Sequence, residues 1–233
     1  MMKAVWKHLI RFLLDLLFPP RCVFCGEVIP PGKNVCAACA KSAVPNGSAR
    51  LFSLKAEGRL ILCAALYPYD GKVRESLLRY KFHGEEQNAD YYACRMKTLV
   101  KTAFPGRSFS LVTWVPLSHE RKKERGYDQA ERIARPLAKA LGIPCRPCLA
   151  KVRQNRVQHY LDRGARAENV RGVYALSGNA VSGEQVLLID DIVTTGATLS
   201  ECAGVLTRCG AASVCCLAVA RSELAPVEKS ACL

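Results

Sequence analysis

Residues 186–198 read Val-Leu-Leu-Ile-Asp-Asp-Ile-Val-Thr-Thr-Gly-Ala-Thr. The apolar run is typical of a buried strand, and two carboxylates, Asp190 and Asp191, follow at its carboxyl end. Open parallel sheets bind their ligands at that end. The small-residue loop that follows leads directly into a helix, whose first N–H groups favour an anion such as phosphate. The segment therefore predicts a site where the carboxylates accept ribose hydroxyls and the loop binds a phosphate.

A simpler interpretation is that Thr198 only caps a helix and that the two aspartates are solvated. Two acids, three threonine hydroxyls and a glycine occur in register here, which favours the ligand site. Gly196 permits close backbone approach to a ligand.

Apolar periodicity elsewhere alternates between strand and helix. Strands are predicted over residues 60–69, 109–116, 186–189 and 213–220, and helices over 88–104, 128–141 and 198–209. A further helix face comprises Val73, Leu77, Leu78 and Phe82. This alternation indicates an α/β fold with a mostly parallel sheet and helices on both faces.

Four cysteines lie in two Cys-X-X-Cys pairs, Cys22/Cys25 and Cys36/Cys39, separated by ten residues. This spacing is typical of a tetrahedral zinc site, and four protein ligands make such a site structural. Glycine and proline dominate the gap, so the metal would stabilise the segment. A pair of disulfides is the alternative. A third pair, Cys145 and Cys148, is interpreted as part of an edge strand, with a second metal site or redox couple as its alternative.

Composition limits the class of protein. The chain has 233 residues, and 34 Lys plus Arg against 20 Asp plus Glu give a net charge of +14. Half of the residues are apolar, which excludes a disordered chain or a coiled coil. No apolar stretch is long enough to span a bilayer. The cysteines outside the two pairs lie mostly in apolar runs, so we expect a reducing, cytoplasmic location.

We expect four regions along the chain. Residues 1–18 have apolar side chains at helical spacing, interrupted by charges that argue against a signal peptide. They predict an amphipathic helix that packs on a neighbouring surface, with a peripheral membrane contact as the alternative. Residues 19–55 are assigned to the zinc ribbon and a linker, since residues 41–59 have a linker-like composition. Residues 56–222 form the main domain, and residues 223–233 form a disordered tail.

Residues 186–198 resemble the phosphoribosyl pyrophosphate (PRPP) signature of the type I phosphoribosyltransferases. Residues 115–130, Val-Pro-Leu-Ser-His-Glu-Arg-Lys-Lys-Glu-Arg-Gly-Tyr-Asp-Gln-Ala, narrow the match, as do Gln158 and the Arg-Ala-Glu-Asn-Val-Arg-Gly of residues 166–172. Together with the cysteine pairs they resemble the ComF family, which includes ComFC and GntX-like proteins. The resemblance covers roughly residues 12–222.

The resemblance implies a type I phosphoribosyltransferase fold with a five-stranded parallel core, a hood and an N-terminal zinc ribbon. It implies PRPP with Mg²⁺ as ligand, with Asp190 and Asp191 at the ribose and as the catalytic residues. The 5-phosphate would be bound by Thr194, Thr195, Gly196, Ala197 and Thr198.

The family places a pyrophosphate-side loop over residues 115–125. Four cations occur there, Arg121, Lys122, Lys123 and Arg125. Their chemistry independently suits a diphosphate, which arginine binds bidentately. A solvated charged loop is the alternative interpretation.

The resemblance also implies a role in competence, in DNA uptake and the handling of single-stranded DNA, beside a DNA-uptake helicase. The net charge favours a polyanionic partner. A second basic region comprises Arg153, Arg156, Arg163, Arg166 and Arg171, with His159 and Tyr160 available for stacking. Phosphate binding or solubility would explain the charge as well.

An active phosphoribosyltransferase in nucleotide or base salvage, with an unknown acceptor, is the alternative function. Here the sequence departs from the purine-salvage enzymes, because Thr194 stands where they carry an aspartate that assists the base. A scaffold that only docks a partner is a third possibility.

Overall fold

The computed structural model describes Trp6 and residues 17–43, 50–153, 170–178 and 180–222. Its helices are α1 (Ala37–Ser42), α2 (Gly71–Phe82), α3 (Asn88–Ala103), α4 (His119–Arg125), α5 (Gln129–Leu141) and α6 (Ala197–Arg208). Its strands are β1 (Arg50–Ala56), β2 (Arg59–Pro68), β3 (Leu111–Trp114), β4 (Leu149–Lys151), β5 (Tyr174–Leu176), β6 (Gln185–Val193) and β7 (Ser213–Arg221).

The main sheet has five strands in the order β1-β2-β7-β6-β3. Strands β2, β7, β6 and β3 run parallel, whereas β1 is antiparallel to β2. We expected five parallel strands, but the sheet has four parallel strands and one antiparallel edge strand. The reason is the two-residue connection Glu57-Gly58, in which both residues have positive φ (50° and 71°). Such a turn joins antiparallel neighbours, and only a long crossover joins parallel ones.

The segment expected to be a linker, residues 41–59, contains β1. Leu51-Phe52-Ser53-Leu54 does not alternate cleanly between apolar and polar residues, which hid the strand in the sequence. Pairing with β2 and burial of Phe52 hold it in place. The predicted boundary at residue 55 falls inside this strand, and the domain limits stay a prediction.

The two faces of the sheet carry separate layers of core. On one face, Leu187, Ile189 and Leu217 pack with α2, α3, α5 and residues of the N-terminal ribbon. On the other face, Leu188 and Cys216 pack with α6 and with the small antiparallel β4–β5 sheet. Successive side chains of a strand point to opposite faces, so the continuous apolar runs supply both layers. Helices on both faces of the sheet are thereby confirmed.

Two details differ from the sequence-based prediction. Phe82, expected on the buried face of α2, is 57% exposed. Cys145 makes only an isolated bridge to Val112, and β4 begins after Cys148, so the edge-strand interpretation of this pair was wrong. Burial raises the pKa of Cys145 to about 11, which disfavours a reactive thiolate.

The N-terminal helix and the C-terminal tail lie almost wholly outside the described residues, as does most of the second basic region. Those predictions stay untested. Within the described part of the chain, no helix has the length and apolar character needed to cross a membrane.

Candidate functional site

The carboxyl end of β6 lines a cleft with a volume of about 180 Å³. Asp128, Asp190 and Asp191 contribute carboxylates to its wall. Four cationic side chains also line it: Lys81, Arg121, Arg125 and Lys151. The cleft thus joins β6, α2, α4 and β4, which are far apart in the sequence, and presents both charges to one ligand.

Asp191 forms an ion pair with Lys81, with 2.9 Å between Oδ2 and Nζ. Both side chains are largely buried, at 12% and 18% exposure. Lys81 lies in the last turn of α2 and was missed by the sequence analysis. It stands in the charged stretch Arg79-Tyr-Lys-Phe-His, and nothing in the sequence links that stretch to β6.

The carboxyl group of Asp190 has a perturbed pKa. Burial, and then the neighbouring charge of Asp191, raise the pKa of Asp190 well above its ordinary value. Its Oδ1 accepts a hydrogen bond from the Asp191 backbone N–H at 2.8 Å. Hydroxyl donors or a cation from a ligand would stabilise the ionised form of this carboxyl.

Arg125 reaches the cleft with an unsatisfied donor. Its Nη1 donates to Gln129 Oε1 at 2.9 Å, and its guanidinium lies 4.9 Å from the centre of the Phe82 ring. Its Nε is buried and has no hydrogen-bond partner among the residues that the structure describes. Buried polar groups are nearly always hydrogen-bonded, so this nitrogen favours an acceptor from a ligand.

Helix geometry separates the four cations expected on the pyrophosphate side. Arg121 and Arg125 stand four residues apart on α4, on one face, and both line the cleft. Lys122 and Lys123 lie outside the cleft lining. Lys122 Nζ pairs instead with Glu131 Oε2 at 3.0 Å, and Lys123 is exposed. Two of the four clustered cations therefore line the cleft, and the other two lie on the surface outside it.

Caps at both ends hold α4 beside the cleft. The Arg121 backbone N–H donates to Ser118 Oγ at 3.4 Å, and Gly126 ends the helix with a φ of 80° that favours glycine. Next, Asp128 caps α5: its Oδ1 accepts from Glu131 N at 3.1 Å and its Oδ2 from Leu117 N at 2.9 Å. Asp128 thus ties the strand end after β3 to α5.

Lys151 and Tyr174 also line the cleft and were also missed. They are paired residues of β4 and β5, with Lys151 Nζ 5.9 Å from the centre of the Tyr174 ring. Burial, and then the nearby charge of Arg121, lower the pKa of Lys151. A ligand anion would relieve this crowding of cations.

The threonine loop leads from β6 into α6. Gly196 has a φ of 82° and stands at the helix cap, so Thr198 lies inside the first turn and does not occupy the cap position. A side chain at position 196 would collide with Leu54 of β1, which explains the glycine. Thr198 lines the cleft. Thr195 Oγ1 accepts from the Ala197 N–H at 3.4 Å, while Thr194 is exposed.

The four N-terminal cysteines form a second site. Their sulfur atoms all lie within 4.8 Å of one another, and Cys25 Sγ and Cys36 Sγ are 3.8 Å apart. Tetrahedral Zn–S bonds of about 2.3 Å place two sulfurs about 3.8 Å apart, so the cluster fits zinc. Burial alone would raise the pKa of the Cys22 thiol. Hydrogen bonds from backbone N–H groups, above all that of Cys36, outweigh this effect and lower the pKa to about 7. All four cysteines are free thiols, which contradicts the disulfide alternative.

Comparison with known proteins gives matches to both regions of the chain. Residues 13–50 match the family model of the double zinc ribbon domain, and residues 128–232 match that of the phosphoribosyl transferase domain. Competence protein ComFC of Bacillus subtilis (strain 168) is 30% identical over 159 residues, which are 68% of this chain and 63% of ComFC. The chain belongs to the ComF family. It has the type I phosphoribosyltransferase fold with an N-terminal zinc ribbon.

Other similarities to this ComF-family chain are shorter or weaker. The DNA utilization protein YhgH of Salmonella typhi is 37% identical over 101 residues, 43% of this chain and 44% of YhgH. The structure of glutamine PRPP amidotransferase from B. subtilis has a TM-score of 0.38 and 24% identity, covering 56% of this chain and 26% of that one. The chain therefore spans less than two thirds of the curated relatives named above.

Proposed function

We propose that this ComF-type, phosphoribosyltransferase-like protein binds PRPP with Mg²⁺ in the cleft at the end of β6. One observation carries the proposal. The cleft combines the carboxylates of Asp190 and Asp191 with four cations and with the first turn of α6. Few ligands need carboxylates for their hydroxyls and cations for their phosphates at once. A ribose with phosphates at two ends is one of them.

Each part of PRPP has a chemical counterpart in the cleft. The diphosphate suits Arg121 and Arg125, whose guanidinium groups bind phosphate oxygens bidentately. The ribose hydroxyls suit the two aspartates. The 5-phosphate suits Thr198 and the N–H groups of the loop before it. Mg²⁺ would neutralise phosphate charge while using few protein ligands, as is usual for this ion.

Whether the protein also transfers the phosphoribosyl group depends on an acceptor. In such a transfer positive charge develops on the ribose as pyrophosphate leaves, and the enzyme contributes positioning and electrostatic stabilisation. Asp190, Asp191 and the cleft cations would supply both contributions. Thr194 is exposed and is no general acid or base for a purine. Transfer to an unknown acceptor is therefore the alternative function.

Titration calorimetry with PRPP, with and without Mg²⁺, tests the proposal. We expect saturable binding that Mg²⁺ strengthens and that the double variant Asp190→Asn/Asp191→Asn loses. Asp70→Asn is the matched control, since Asp70 is an exposed aspartate whose side chain makes no cap hydrogen bond with α2. Unchanged affinity in the double variant would refute the site.

A DNA role is the second part of the proposal. The relatives are named for competence and DNA utilization, and the chain carries a charge of +14. We propose that it acts in DNA uptake in the cytoplasm and handles single-stranded DNA, with a helicase as a candidate partner. Affinity for a single-stranded oligonucleotide should fall steeply as salt rises, because bound phosphates release counterions. If the protein does not bind the oligonucleotide at low salt, the proposed role in handling single-stranded DNA is refuted.

A further inference from the structure

Side chains of helix α2 donate hydrogen bonds to the backbone carbonyls between the first two cysteines. Arg79 Nη2 donates to the carbonyl oxygens of Val23 at 3.1 Å and Phe24 at 2.9 Å. Ser76 Oγ also donates to the Val23 carbonyl. Val23 and Phe24 are the two residues between Cys22 and Cys25, so these hydrogen bonds hold the loop that carries half of the zinc ligands.

This contact is partly buried and well oriented. The Phe24 side chain is fully buried and lies edge-on against Tyr67 and Tyr91, with ring centres 5.6 and 5.7 Å apart. Glu85 Oε1 accepts from Arg79 Nε at 3.0 Å and so orients the guanidinium. The ribbon is therefore fastened to α2 by directed bonds as well as by apolar packing.

The next residues of α2 contact the PRPP cleft. Lys81 pairs with Asp191 at 2.9 Å, and the Phe82 ring lies 4.9 Å from the Arg125 guanidinium. Tyr80 donates from its hydroxyl to the Gln129 backbone carbonyl at 2.8 Å. These three residues follow Arg79 directly, and together they span less than one helical turn.

We propose that α2 couples the zinc ribbon to the PRPP cleft, with Arg79 as a positioning residue that sets the place of Lys81. The proposal rests on the proposed function, because it assigns regulation to that site. A helical turn moves as a unit, so a shift of Arg79 on the ribbon displaces Lys81 and Phe82 with it. Displacement of Lys81 would leave the Asp191 carboxylate partly buried without its cation, which is costly.

Calorimetry of zinc-loaded variants tests the coupling. We expect Arg79→Ala to retain zinc and to bind PRPP with Mg²⁺ roughly 2- to 30-fold more weakly, the range of coupling through contacts that touch neither ligand. Arg79→Lys keeps a cation and should recover part of the loss. Arg74→Ala, which removes an exposed arginine of the same helix, should bind like the wild type.

A double-mutant cycle separates positioning from general destabilisation. If Arg79 acts through Lys81, Arg79→Ala should have little further effect on affinity in a Lys81→Ala background. Wild-type affinity in zinc-loaded Arg79→Ala would overturn the proposal. So would a loss that is fully additive with that of Lys81→Ala.

Hydrogen exchange keeps this test independent of the proposed function. If the wild type does not bind PRPP, the proposed function fails, and exchange of the amides of residues 77–83 still measures the coupling. We expect faster exchange there when a chelator removes zinc from the wild type, and also in Arg79→Ala. Unchanged exchange in both samples would overturn the coupling on its own.

Discussion

The ribbon holds four thiols within 4.8 Å of one another, whereas the cleft spreads four cations and three carboxylates around about 180 Å³. A tetrahedral ion completes the first set and leaves no position open. The second set stays incomplete: Arg125 Nε has no partner among the described residues, and the pKa of Asp190 is raised. We infer from this difference that the thiol cluster serves stability, while the cleft is suited to an exchangeable ligand.

The largest expected effect comes from opening the closed site. Cys36→Ser should release zinc and unfold the ribbon, since such modules depend on their metal. Loss of Phe24 burial alone should lower the free energy of unfolding by about 3 kcal/mol or more. Metal analysis and thermal unfolding measure both changes.

Cys94→Ser is the control for this change, because Cys94 is an exposed thiol on α3. It should keep zinc and stability. Full zinc content in Cys36→Ser would show that the four thiols do not act as one ligand set.

A smaller effect is expected from the open site. Arg125→Ala should weaken PRPP binding by about 1.5 to 3 kcal/mol, the contribution of a hydrogen bond to a charged group. Lys123→Ala removes a charge from the same helix but outside the cleft lining, and should change affinity little. Calorimetry at one ionic strength compares them. Equal losses in both variants would mean that only the overall charge of α4 matters.

The smallest effect concerns the stability that the ligand-free protein loses by burying Asp190. Because the pKa of Asp190 is raised in the folded state, this carboxyl destabilises the ligand-free protein wherever the pH exceeds the ordinary aspartate pKa. The cost is full above the raised pKa and disappears below the ordinary aspartate pKa of about 3.9, where the carboxyl is protonated folded and unfolded. Asp190→Asn should therefore raise the unfolding temperature at pH 7.5, with a gain that shrinks as pH falls.

Thermal unfolding measures this gain over a pH range from 7.5 down to about 3.5, which extends below the ordinary aspartate pKa. Asp70→Asn, at an exposed aspartate, should show no such gain. A lower unfolding temperature for Asp190→Asn at pH 7.5 would mean that the ionised carboxylate stabilises the empty cleft.

The sequence predicted the parts of the fold that depend on local patterns. Long apolar runs identified β2, β6 and β7, and the two cysteine pairs identified the ribbon. It missed β1, because pairing with β2 and the tight Glu57-Gly58 turn make that strand, and neither is visible in a window of linker-like composition. The direction of an edge strand likewise follows from tertiary pairing.

The same division applies to the cleft. Asp190, Asp191 and Thr198 follow a readable strand-loop-helix pattern and line the same cleft. Lys81 and Lys151 come from α2 and β4, and only the folded chain brings them to β6. Helical spacing could have separated Arg121 and Arg125 from Lys122 and Lys123, since residues four apart share a face.

A crystal structure of the zinc-loaded protein with PRPP and Mg²⁺ is the decisive test of the proposed cleft. We expect ribose hydroxyls against Asp190 and Asp191, the 5-phosphate at residues 194–198, and the diphosphate within hydrogen-bond distance of Arg125 Nε or of Arg121. PRPP bound elsewhere on the protein, or in the cleft without contact to either aspartate, would contradict it.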